Sequence, residues 1–206
     1  MVDCIRQRFQ IQRVGHGGTL DPLATGLLIL LLGKATRQAR LLLDADKTYV
    51  ATLRLGIETD TQDVQGRVLQ TREVGPLSLA QIEAAFQRFQ GQIEQEVPAY
   101  SAVRIQGRRS YELARAGIAI PRRTRQVMVR ELKILAVRPT EVDFRVTCSK
   151  GTYVRALCAD IGSALGVGGI LSRLRRIQIG SFLVEDAVAP EATCAEHVLP
   201  LESLSS

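Results

Sequence analysis

Val14-Gly15-His16-Gly17-Gly18-Thr19-Leu20-Asp21-Pro22-Leu23-Ala24-Thr25-Gly26-Leu27-Leu28 is the stretch on which the fold and the chemistry of this chain turn. Its glycines invite a phosphate-cradling reading. A P-loop, however, needs a lysine and then serine or threonine where the helix opens, and no lysine follows these glycines. What remains is a loop that lets another backbone approach closely, with one imidazole, His16, and one carboxylate, Asp21. Pro22 biases Asp21 away from helical backbone, so the carboxylate is expected on a loop. It sits at the mouth of the apolar run Leu27 to Leu32, which reads as a strand buried on both faces. Local sequence alone favours a turn or helix N-cap role for Asp21; a mounted, reactive carboxylate is the alternative.

Working outward, Cys4 to Phe9 and Ala35 to Leu43 read as short helices. Tyr49 to Leu55 alternates as a strand with Tyr49, Ala51, Leu53 and Leu55 on one face. Asp60 to Gly66 is polar and turn-rich. Ser78 and Gln81 form a capping box, and Leu79, Ile82, Phe86 and Phe89 recur at helical spacing, predicting a helix over Leu79 to Phe89. A further helix is expected from Ser110 to Ala116, ended by Gly117 and Pro121. Val127 to Val137 and Val142 to Cys148 read as paired strands around Arg138-Pro139. Val154, Leu157, Ile161 and Leu165 mark a helix stopped by Gly166. The acidic tail from Glu185 is expected to pack over an edge or to fray. No repeat or long linker interrupts this pattern, which is that of one α/β domain, of the α+β type, rich in antiparallel pairing.

Composition narrows the function classes. The 206 residues suit one ordinary globular domain, or at most two small ones, and the longest apolar run is far below the roughly 18 residues of a membrane span. The first residues lack a secretory signal, so a cytoplasmic protein is expected. Four scattered cysteines (Cys4, Cys148, Cys158, Cys194) and two histidines (His16, His197) offer no metal site, and the thiols read as reduced and structural. The net charge is +6, yet residues 104 to 133 alone carry +7, residues 150 to 176 carry +4, and residues 177 to 206 carry −5. Twenty-three arginines against four lysines suit phosphates and base edges, pointing to nucleic acid. Genome composition bias accounts for the arginines equally well on charge alone.

The opening stretch, continued through Leu32-Gly33-Lys34-Ala35-Thr36-Arg37, closely resembles the catalytic motif of the tRNA pseudouridine-55 synthases, the TruB family. The resemblance continues collinearly through Asp46-Lys47-Thr48-Tyr49, Gly56 to Asp63, Val97 to Arg104, Arg109 to Gly117, Cys148-Ser149-Lys150-Gly151-Thr152-Tyr153-Val154-Arg155 and Leu174-Arg175-Arg176, covering nearly all of residues 3 to 190. It implies the pseudouridine synthase fold, a mixed and largely antiparallel central sheet flanked by helices. It implies an isomerase that needs no cofactor and no metal. It also implies Asp21 as the nucleophile in breaking the glycosidic bond of the T-loop uridine, Arg155 as its charge partner and Tyr49 as the tyrosine stacked on the target base. Without the family, Arg155 reads as a solvated first-turn helix residue and Tyr49 as a core aromatic. By the same resemblance Tyr153 lines the uridine pocket, His16 helps to evert the uridine, and Lys150 contacts the RNA or supports the pocket. The charge pattern makes the basic segment Arg104 to Lys133, Arg109 included, with Lys150, Arg173, Arg175 and Arg176, the expected phosphate-tracking surface. With nine aromatic residues counting only tyrosine and phenylalanine, recognition of a folded tRNA T-arm stem-loop by shape fits better than a single-strand stacking platform.

Three departures accompany the match. Gly17 stands where the family commonly has threonine. The family's opening strand and lysine-proline motif do not precede the match, and no PUA domain follows it. The expected organisation is a catalytic domain over residues 1 to 190 and a short acidic tail over 191 to 206. The expected enzyme is a monomer of the stand-alone type with no obligatory protein partner. A noncatalytic RNA binder would be expected to have lost Asp21, Tyr49, Tyr153 or Arg155. The small-nucleolar-RNA-guided branch depends on partner proteins and a PUA domain. A glycoside hydrolase needs a second carboxylate that the sequence does not identify.

Overall fold

The computed structural model shows mixed α/β structure, a mixed sheet flanked by helices. It describes the chain except Ala102, Gln106, Gly117, Ala119 and Ser206, and except the side chains of Arg104, Ile105, Arg108, Arg109, Tyr111, Ala114, Arg115 and Ser205. Gly117, expected to stop a helix, therefore lies outside the described residues. The chain divides into two compact units, residues 1–49 with 175–206, and residues 50–174.

The first unit opens with α1 (Val2–Phe9), whose Ile5 is buried. Strands β1 (Val14–His16), β2 (Thr25–Gly26) and β3 (Leu30–Leu32) follow, and β1 pairs antiparallel with β3, His16 opposite Leu30. The strand expected over Leu27 to Leu32 is thus shorter than its apolar run. Leu27 lies outside the strand and is bonded elsewhere: its N–H donates to the Arg176 carbonyl at 2.8 Å and its own carbonyl accepts from Arg176 Nε at 2.8 Å. The helix expected from Ala35 begins instead as a tight 3₁₀ turn over Gly33–Gln38, where Thr36 Oγ1 donates to the Gly33 carbonyl, and becomes α2 only at Ala39–Asp44. Leu27, Leu31, Leu42 and Ile179 form the core of this unit, with Ile29, Ala35, Phe182 and Leu204 packed on it. The acidic tail forms short 3₁₀ turns and is tied down: Arg8 donates to the carbonyls of Glu191 (2.6 Å) and Thr193 (2.8 Å).

β4 (Lys47–Leu55) leads into the second unit. There follow the hairpin of β5 (Ile57–Thr59) and β6 (Val68–Thr71), α3 (Leu79–Gln87), β7 (Gly91–Glu96), the ribbon of β8 (Arg104–Ile105) and β9 (Arg108–Arg109), and α4 (Ser110–Arg115). β10 (Thr124–Arg138), β11 (Glu141–Cys148), α5 (Val154–Ala164) and β12 (Gly169–Ile179) complete it, and the strand order is β12-β4-β11-β10-β7. On β11 the side chains of Val142, Phe144, Val146 and Cys148 alternate inward, as the sequence pattern predicts. β4 differs from its one-faced expectation, because Thr52 on the other face is buried too and donates to Asp143 Oδ1 at 2.7 Å. The capping box of α3 forms as read, and Phe86 meets Phe144 edge-on at 5.5 Å. The last residues of β12 belong to the first unit, where β13 (Phe182–Leu183) pairs antiparallel with them and β2 pairs parallel, Arg175 opposite Thr25 and Arg176 opposite Gly26.

Candidate active site

The candidate residues occur in both units. In the first unit, Asp21 opens a tight turn: the Ala24 N–H donates to the Asp21 carbonyl at 2.8 Å, with Pro22 at the position where its fixed φ suits such a turn. The turn and the mounted carboxylate are therefore the same feature, and Asp21 is half-buried. At the head of the loop His16 is exposed, and Gly18 N–H approaches its Nδ1 at 3.3 Å, so in the neutral ring the proton is placed on Nε2. Gly17 is buried, its N–H donating to the Ile29 carbonyl at 2.9 Å, and a Cβ there would lie 2.8 Å from the Leu42 side chain. That contact gives the glycine at this family-threonine position a reason: Leu42 fills the space.

Two buried cations hold this unit's loops. Lys47 Nζ donates to the carbonyls of Leu42 (2.8 Å), Leu43 (2.7 Å) and Ala45 (2.7 Å), capping α2 where its carbonyls run out of helical partners. Arg176 is 1% exposed and donates to the carbonyls of Leu27 (2.8 Å), Gly18 (3.1 Å) and Thr19 (3.4 Å). The guanidinium expected to contact RNA is thus enclosed by loop carbonyls instead of lying exposed. Its neighbour Arg175 is exposed, and Tyr49 is half-buried in β4.

In the second unit Arg155 is 3% exposed, so the reading of a solvated helix residue does not hold. Its guanidinium donates to the carbonyls of Thr61 (3.0 Å) and Tyr100 (2.5 Å). It also lies 5.6 Å from the centroid of the Tyr153 ring, with Arg125 at 6.0 Å from the same ring, within cation–π range. The backbone of Tyr153 is fixed by Gln95, a buried amide that sequence reasoning missed: Tyr153 N–H donates to Gln95 Oε1 (2.8 Å), and Gln95 Nε2 donates to the Tyr153 carbonyl (3.1 Å). Glutamine alternating with glutamate on β7 gave no sign of this inward role. Before Tyr153, Ser149 is joined to β10 in both directions, through its N–H to Met128 O and from Met128 N–H to its Oγ. Lys150 is exposed on that turn. Arg104 and Arg109 face each other across the β8–β9 ribbon, and their side chains lie outside the described residues. Arg122, Arg123, Arg130 and Lys133 are exposed along the basic segment, with Arg122 3.6 Å from Glu96. Among the described residues no group of three or more His, Cys, Asp or Glu side chains is arranged to hold a metal ion.

Comparison with known proteins gives a consistent result. Residues 6–154 match the N-terminal domain of the TruB family pseudouridylate synthases, and residues 155–204 match the tRNA pseudouridylate synthase B C-terminal domain. The chain is 49% identical to tRNA pseudouridine synthase B of Burkholderia pseudomallei strain 668 over 91% of its own length and 62% of the relative's. It is 44% identical to the protein of that name from Clostridium kluyveri over 96% of its length and 69% of the relative's. The chain thus spans between three fifths and seven tenths of these two relatives. Among solved structures, one titled as a Cbf5-Nop10-Gar1 complex superposes with a TM-score of 0.70 at 33% identity, over 91% of this chain and 46% of that one. A second, of an H/ACA RNP bound to a substrate RNA containing 2′-deoxyuridine, gives 0.66 at 31% identity, over 91% of this chain and 45% of that one.

Proposed function

The chain belongs to the TruB family of pseudouridylate synthases, and from that membership we propose that it isomerises uridine to pseudouridine in tRNA, at the T-loop uridine, position 55. The observation that carries the reading is the Asp21 loop: a half-buried carboxylate on a proline turn, with the flanking backbone held by a buried arginine. A carboxylate is ionised at neutral pH and can attack without metal or cofactor. Asp21 acts as the nucleophile while the N-glycosidic bond breaks. The uracil rejoins the ribose through carbon 5, and the hydrogen of that carbon leaves as a proton. No outside group is consumed.

The remaining roles follow the resemblance. Tyr49 stacks on the target base and takes part in proton removal, and Arg155 keeps the nucleophile charged. Tyr153 lines the uridine pocket, a role supported by its backbone being locked to Gln95. His16 fills the space that the everted uridine vacates, a role supported by its exposure at the head of the loop. Lys150, Arg104, Arg109 and Arg175 contact RNA phosphates, supported for Lys150 and Arg175 by their exposure. The enzyme works as a cytoplasmic monomer without an obligatory protein partner. No helix among the described residues is long and apolar enough to cross a membrane.

The test is tritium release from a T-arm stem-loop carrying [5-³H]uridine. Release confined to the T-loop uridine supports the proposal, and no release despite RNA binding removes it. Asp21→Asn is expected to abolish release while the Kd for the stem-loop stays within about threefold, the signature of an interaction made only in the transition state. Arg155→Lys should lower the single-turnover rate by about tenfold or more, because lysine cannot reproduce the planar fork; an unchanged rate would take Arg155 out of the mechanism.

A further inference from the structure

The segment from Thr19 to Leu27, which carries Asp21, has both its feet on one residue. Arg176 Nη2 donates to Gly18 O at 3.1 Å and Nη1 to Thr19 O at 3.4 Å on one side; Nε donates to Leu27 O at 2.8 Å on the other. The main chain of the same residue adds a fourth link, its carbonyl accepting from Leu27 N–H at 2.8 Å. Gly26 lies opposite Arg176 in a parallel pair with φ +95°, and a Cβ there would sit 2.9 Å from Arg176 N and against its carbonyl. Only a glycine lets the two backbones meet this closely. Inside the closed segment, the Ala24 N–H to Asp21 carbonyl bond makes a further turn.

We propose that Arg176 is the positioning residue of the reaction, fixing the direction of the Asp21 carboxylate by closing both ends of its loop, and that it makes no contact with RNA. This rests on the reading of Asp21 as nucleophile. A planar guanidinium can address two carbonyls on one side and a third on the other at once; an ammonium on a flexible stem is a point charge and cannot span them. Arg176→Lys keeps the charge and opens one foot of the loop. A misplacement of about 1 Å at a reacting group costs on the order of a hundredfold in rate.

The experiment pairs two measurements on Arg176→Lys and on Gly26→Ala, which forces the same contact apart from the loop side. The first is single-turnover tritium release beside the Kd for the T-arm stem-loop. The second is amide hydrogen exchange at Ala24 and Leu27 in the free protein. The expected result is a rate lowered by about a hundredfold, a Kd within about threefold of wild type, and faster exchange at both amides. A wild-type rate in Arg176→Lys overturns the proposal, and so does a loss that falls on Kd instead of rate, which would return Arg176 to RNA binding. A role confined to global stability would lower the melting temperature and leave the rate of the folded enzyme unchanged, which also overturns it. If wild-type protein turns over no RNA, the functional reading fails. The exchange arm then still decides the clamp, because unchanged protection at Leu27 in both variants refutes it.

Discussion

Cys158 is fully enclosed within α5, and burial pushes its thiol well above the ordinary range, with the nearby Asp160 charge adding to the effect. Cys148 is 1% exposed, whereas Cys4 and Cys194 face solvent. A thiol reagent should therefore label Cys4 and Cys194 in native protein and reach Cys148 and Cys158 only after unfolding, because the thiolate is the reacting form. Mass spectrometry of the labelled sites checks this. Asp160 itself is half-buried, and burial, with help from Glu96, raises its carboxyl to about 6. A raised carboxyl binds its proton more tightly in the folded state, so its contribution to stability is intact below about pH 4 and lost as pH climbs through 6. Asp160→Asn should melt like wild type near pH 4 and be more stable at pH 8, by about 1 kcal/mol or less because solvent screens the site. Thermal melts at the two pH values decide it. At this scale Pro22 and the glycines marked the turn at Asp21 in the sequence. The burial of Arg155 and Arg176 was not marked, since an arginine in a basic run looks the same whether its donors meet water or buried carbonyls.

Elements with local signals were the legible ones. The Ser78–Gln81 box marks the start of α3, and both of its reciprocal bonds form; Ser78→Ala should cost about 1 kcal/mol in chemical denaturation. β11 was readable because one face is buried with a period of two. β12 was not: its inward and outward residues follow no simple alternation, as its first residues pack in one unit and its last are paired by β2 and β13 in the other. Nor was the approach of α5 to the start of β12. A Cβ at Gly162 would lie 2.6 Å from Gly169 Cα, while the Gly162 carbonyl accepts from Val167 and Gly168 N–H. Gly162→Ala should lower stability by about 2 kcal/mol or more, since backbone cannot yield as a flexible side chain does. A denaturation midpoint within error of wild type would show that the helix end shifts freely.

The molecule as a whole is built from a continuous middle, residues 50–174, and a unit that joins the two ends of the sequence, 1–49 and 175–206. The contacts that set the Asp21 loop are long in sequence: Leu27 and Arg176 are 149 residues apart, and Gly18 and Arg176 are 158 apart. Chains begin to fold from the N-terminus as they are synthesised, and a contact of high sequence separation must wait for its later residue to emerge. During translation, the loop that carries Asp21 emerges early and has nothing to close upon. On the proposed role of Arg176, the ribosome must deliver that residue before the Asp21 loop can close, so the proposed activity waits until nearly the whole chain has been made.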